Sequence, residues 1–121
     1  MKKPAVLLSV GIVALYITVD AGAHPMSKDE CTEGSDFIKT AALSRDNGMQ
    51  GMTFLEKMLD DFQAIRSFPP QLRWLVQDRE DEDYLIKAVT EVFENPQDPV
   101  EHQQNFFGDC LTRVVAKLAR P

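Results

Sequence analysis

The chain predicts an all-α fold, and three observations carry that expectation. Apolar residues recur at steps of three and four through most of the sequence, which is the spacing of one helix face. Proline and turn signals cut this pattern into segments of helical length. Alternation of apolar and polar residues, the mark of a strand, never lasts more than a few positions. The expected architecture is a small bundle of four main helices plus one short helical segment, stapled by one disulfide. A length of 121 residues with 44% hydrophobic and 26% charged side chains suits one globular domain rather than a disordered tail.

The first segment reads as an address. Lys2 and Lys3 precede an almost wholly apolar stretch, Ala5 to Val19, and Ala21-Gly22-Ala23 offers the small-x-small pattern of a cleavage site. A helix of that stretch spans about 22 Å, short of a hydrocarbon core of roughly 30 Å, so a membrane anchor is the weaker reading. No cysteine sits at the cleavage site to accept a lipid. The expected organisation is a signal peptide over 1–23 and a single helical domain over 24–121. No membrane association is expected once the signal is removed, and the location is periplasmic or secreted.

The elements then follow in order. Ser35 is a candidate cap for a first helix, with Phe37, Ile38, Ala41 and Ala42 on one face and Asn47-Gly48 as its stop. A second helix carries Met52, Leu55, Met58, Leu59, Phe62 and Ile65 in one stripe, with Thr53 and Glu56 at capping-box spacing and a start a few residues earlier as the alternative. Pro69-Pro70 ends it. Leu72, Trp74, Leu75 and Val76 form a helical turn or two. Five acids follow within Asp78–Asp83, and acids belong in a first helical turn, where free N–H groups favour them. The third helix presents Tyr84, Leu85, Ala88, Val89, Val92 and Phe93, and Asn95-Pro96 stops it. Asp98 caps the last helix, Pro99 fits its first position, and Glu101 completes a box. Its expected apolar face runs through Val100, Gln103, Phe107, Cys110, Leu111, Val114 and Leu118.

Cys31 and Cys110 are the only cysteines. In an exported chain an even pair reads as one disulfide, and the short spacing of a redox pair is absent. Cys31 precedes the first expected helix, and Cys110 lies on the apolar side of the last one.

The rest of the reading is about what the chain does. A formal net charge of −6 with no basic patch argues against nucleic-acid phosphates as partners. Loss of Lys2, Lys3 and Asp20 with the signal leaves the remainder one unit more acidic. None of the common phosphate-binding, serine-hydrolase or zinc-protease motifs is present. His102 and Cys110 lie about 12 Å apart along a straight helix, too far for a base to activate a thiol, and His102 reads as a surface residue. An amino-terminal His24 could chelate copper together with His102, but nothing else in the chain supports such a site. The acid run lacks the spacing of a calcium loop and reads as a solvated helix start. Asp60 and Asp61 diverge by about 100° on a helix and do not form a catalytic pair. The expectation is therefore a non-enzymatic protein with no cofactor.

The candidate interaction residues are Arg73, Trp74, Asp78, Asp81 and Asp83. Trp and Arg are common interface anchors, although Trp74 suits a core position equally and Arg73 suits a pairing with a nearby acid. The acids would meet a basic partner.

At these residues a resemblance can be stated. A signal segment, a cysteine before the first helix and a cysteine in the last resemble small exported all-helical proteins of Gram-negative bacteria. Ser44 to Met49 (SRDNGM) and Leu72 to Asp78 (LRWLVQD) are similar to segments in that group, which implies no particular activity. The architecture resembles more faintly the HdeA-type acid-stress chaperones of the periplasm, with a much wider cysteine separation. In size and export alone it resembles immunity proteins that neutralise wall-degrading toxins. Two functions lead, ahead of a third, a small hydrolase or copper protein that would rest on His24 and His102. One is an inhibitor or immunity partner of a basic envelope or secreted protein. The other is an acid- or stress-responsive periplasmic chaperone.

Overall fold

The computed structural model describes residues 27–119, so the signal segment and His24 lie outside the described residues. Four α-helices and one 3-10 turn follow in order: α1 (Lys28–Asp46), α2 (Gly51–Ile65), the turn Pro70–Leu72, α3 (Arg79–Glu94) and α4 (Pro99–Leu118). No strand occurs among the described residues. No described helix is long and apolar enough to cross a membrane. The all-α class and the count of elements match the expectation.

α1 begins two turns earlier than Ser35. Ser27 caps it: its hydroxyl accepts from Glu30 N–H, while the Glu30 carboxylate accepts from Ser27 N–H at 2.9 Å. This reciprocal pair satisfies two of the backbone donors that every helix start leaves open. Cys31 therefore sits inside α1, in its first turn, and not ahead of it. Ser35 is buried mid-helix, and its hydroxyl donates back to Thr32 C=O at 2.8 Å. At the other end Gly48 takes φ +98°, the left-handed stop that the Asn-Gly pair signals.

The buried face of α1 is made of small residues, Gly34, Ser35, Ala41 and Ala42, around Cys31 and Ile38. Small side chains let a partner helix come close, and α4 is the helix packed most extensively on α1. A Cβ built on Gly34 would lie 2.6 Å from Leu75 Cδ2 and 2.8 Å from Phe106 Cε1. Gly34→Ala should therefore lower stability by ~1–3 kcal/mol, although alanine is the better helix former. Urea unfolding measures it, and an unchanged or raised midpoint would show that the contact yields freely.

α2 buries only Met58 and Phe62, while Met52 and Leu59 of the expected stripe stand in solvent. Thr53 and Glu56 form no box, because α2 starts at Gly51 behind Gln50, which gives no side-chain cap. α2 rests on α3, and its end is tied there by Arg66, whose Nε and Nη2 donate to the two Glu82 oxygens at 2.9 and 2.6 Å.

α4 starts at the expected cap, with Asp98 accepting from Val100 N–H at 3.1 Å. Glu101 does not complete a box; its carboxylate accepts from the Gln97 side chain. The buried face of α4 is also rotated from expectation: it comprises His102, Phe106 and Cys110, while Val100 and Leu118 are exposed. Gln103 reaches Asp36 on α1 at the surface, at 2.8 Å. Cys110 is bonded to Cys31, with the two Cα atoms 5.6 Å apart.

Candidate functional site

Four of the five expected interaction residues lie around the connection from α2 to α3, but they have different tasks. Among the described residues Arg73 pairs with no acid. Its Nε donates to Phe68 C=O at 2.8 Å and its Nη1 to Gln77 C=O at 3.3 Å, so it folds the connection onto itself. Trp74 is half-buried and meets Phe37 edge-on with centroids 5.4 Å apart. Its φ of +61° is a left-handed conformation that a bulky residue adopts at a cost. Gln77 compensates: its buried amide nitrogen donates to Trp74 C=O at 2.8 Å and to Pro70 C=O at 3.0 Å. Asp78 is the cap of α3, accepting from Asp81 N–H at 2.9 Å.

The acid run is not uniformly solvated, contrary to the sequence expectation. Asp81 and Glu82 are buried. One Asp81 oxygen accepts from Arg113 Nη1 at 2.9 Å and Lys117 Nζ at 3.1 Å, and the other accepts from Gln77 N–H at 3.1 Å. Asp81 thus joins the connection, α3 and the end of α4, and has no free face for a partner. Only Asp83 remains as an exposed acid of the set beyond the cap. The guanidinium of Arg66 holds the Glu82 carboxyl below its usual range.

A second feature was not visible in the sequence. α3 and α4 both rest on α1 and meet each other through side chains at one end, and a groove of about 640 Å³ runs between them. Ile38, Val92 and Phe106 form its floor, and Lys87, Glu91 and Asp109 stand on its sides. At one end Tyr84 packs on Phe106 with centroids 5.5 Å apart, and Arg113 lies 4.4 Å above the Tyr84 ring. The Tyr84 hydroxyl is buried without a hydrogen bond among the described residues. Burial above all, with Asp109 adding and Arg113 opposing, pushes its pKa up to about 12.

At the other end stands His102, which is buried rather than on the surface. Its Nε2 accepts from Gln97 N–H at 2.9 Å and lies 3.2 Å from Arg45 Nη1. Arg45 also donates to Val92 C=O and Gln97 C=O, so one α1 side chain clamps the turn between α3 and α4. Two donors on one ring nitrogen require the neutral ring with its proton on Nδ1. Burial, then the Arg45 charge, hold the His102 pKa below its ordinary value. The unfolded chain therefore takes up this proton more readily than the folded one. The contribution of His102 is present in full above about pH 6.5 and is lost as pH falls from there through the lowered folded value. Between neutrality and about pH 5 the wild type should lose stability that His102→Gln does not. Urea midpoints across that range test it, and parallel profiles for the two proteins would refute the assignment.

The signal that could have exposed this face is the spacing His102–Phe106–Cys110, three residues each four apart. No protein family, curated protein or solved structure matches the chain.

Proposed function

We propose that this is an exported, non-enzymatic interaction protein of the periplasm or the extracellular space, an inhibitor or immunity partner whose target is basic. The observation that carries the reading is the groove between α3 and α4, apolar along its floor and acidic along its rims. Around Lys87 and Glu91, the outer face of α3 continues by helical register through Glu80, Asp83 and Glu94. The facing side of α4 continues from Asp109 through Asn105 and Glu101 to Asp98. Apolar contact at the centre with charge at the rim is the common anatomy of a protein interface. Acidic rims attract a basic partner and exclude acidic ones. The disulfide and the amino-terminal sequence support the location, since such bonds persist in oxidising compartments.

The test is photocrosslinking from the groove in the producing cell. A benzoylphenylalanine replacing Asn105 should give an adduct with a basic protein, and one replacing Lys57 on α2 should not. The double reversal Glu91→Lys/Asp109→Lys, or high salt, should abolish the adduct. An adduct equally strong from Lys57, or indifferent to the reversal, would sink the reading.

The second reading is an acid-responsive chaperone, and a separate observation favours it. Two links between helices depend on groups that protonate in acid: His102 with Arg45, and Glu82 with Arg66. Loss of the Glu82–Arg66 link would free apolar surface of α2. Aggregation of an acid-labile client at about pH 3 discriminates, and no suppression there removes this alternative.

A further inference from the structure

Beside the connection lies a smaller cavity of about 310 Å³ that is separate from the groove. Four aromatic rings line it, from Phe37 on α1, Phe62 on α2, and Phe68 and Trp74 on the connection. Asp61 is the only charged side chain in the lining. Phe62 is fully buried and makes a floor, while Phe68 is 43% exposed and opens toward solvent. Asp61 is itself exposed, and no hydrogen bond or ion pair engages it among the described residues. Buried Asp81 and Glu82, by contrast, are each matched to cations.

The way Trp74 is held also points to a site. A left-handed backbone is costly for a bulky residue, and here the Gln77 amide donates to the Trp74 carbonyl and helps to keep it. Its result is a ring that is half-exposed and set edge-on to Phe37 at the mouth of an aromatic pocket.

We infer that this pocket binds a small organic cation, an alkylammonium group carried on an apolar body. Aromatic faces present negative charge density and attract ammonium groups, most strongly where water is partly excluded. A single carboxylate at the rim supplies the opposite charge. The volume lies at the lower end of small-ligand sites and is too small for a protein segment. The inference does not depend on the groove between α3 and α4, so either can fail alone.

Trp74 is the only tryptophan of the chain and lines this pocket and a more open one beside Glu30 and Glu33, so its fluorescence reports on both and Asp61→Asn tells them apart. The probe is benzyltrimethylammonium, and its control is neopentylbenzene, in which carbon replaces the nitrogen. The full exported chain should show a saturable change in Trp74 emission with the cation and a clearly weaker one with the neutral analogue. Asp61→Asn, at an exposed position, should weaken the cation about fivefold to tenfold and leave the analogue unchanged. Calorimetric titration of Phe68→Ala, which keeps the indole, should show the same direction. No saturable response to the cation overturns the proposal, as does equal binding of both probes or an unchanged affinity in Asp61→Asn. A response to a lysine-bearing peptide with none to the free cation would assign the pocket to a protein side chain, and would overturn it as well.

Discussion

Replacing both cysteines, Cys31→Ser/Cys110→Ser, should lower the stability of the protein by several kcal/mol, in the range of about 2–5 for native bridges of small secreted domains. The bond joins the first turn of α1 to the buried face of α4 across a sequence separation of 79 residues. Closing so long a loop restricts the unfolded chain by about 4.5 kcal/mol in loop-closure entropy. That is close to the whole stability of a small domain. The helices themselves should persist, because the Ser27 box and the Asp78 and Asp98 caps are local. Free-thiol counting followed by urea unfolding of both proteins is the measurement. Two free thiols per chain in the native protein, or coincident midpoints, would contradict it.

The second large effect is expected at Asp81. Asp81→Asn leaves Arg113 and Lys117, both mostly buried, facing a neutral amide, and weakens the acceptor for Gln77 N–H. Removing one partner of a buried charge cluster costs about 3–5 kcal/mol, because the remaining charge stays desolvated. Arg113 keeps Glu80 at 3.3 Å and the Tyr84 ring, so the lower end of that range applies. Asp83→Asn, two residues away and exposed, should change stability by less than about 0.5 kcal/mol. Equal midpoints for Asp81→Asn and Asp83→Asn would show that the cluster gives no net stabilisation.

The pair Asp81 and Asp83 also shows what a single sequence leaves open. Both belong to one acid run that marks the start of a helix, and that much is legible from the dipole preference. They differ by about 200° around the helix axis, so one faces α4 and the other faces water. Choosing between them requires knowing that Arg113 and Lys117 return to that spot from the far end of the chain. The same holds for His102. Its position on the last helix is plain in the sequence, but its burial depends on Arg45 and on the turn at Gln97. The expected apolar stripe of α4 favoured Val100, Phe107 and Leu118 by residue type. The observed face runs through His102 and Phe106, because α1 offers small residues there for a ring to fill.

The sequence by itself determined the all-α class, the four helices and most of their ends, and the pairing of the two cysteines. Each of these follows from local chemistry or from counting. Proline and the Asn-Gly pair stop helices, Asp98-Pro99 starts one, and two cysteines allow one bridge. The start of α1 was legible too, in Ser27 and Glu30 at box spacing, although Ser35 drew attention from it. Only the tertiary structure decided which acids are buried, which face of α4 is the inner one, that α3 and α4 stand apart over a groove, and that Trp74 is held left-handed beside an aromatic pocket. These are consequences of contacts between residues tens of positions apart. Their energies depend on burial and on partner geometry, quantities that periodicity and residue type do not contain.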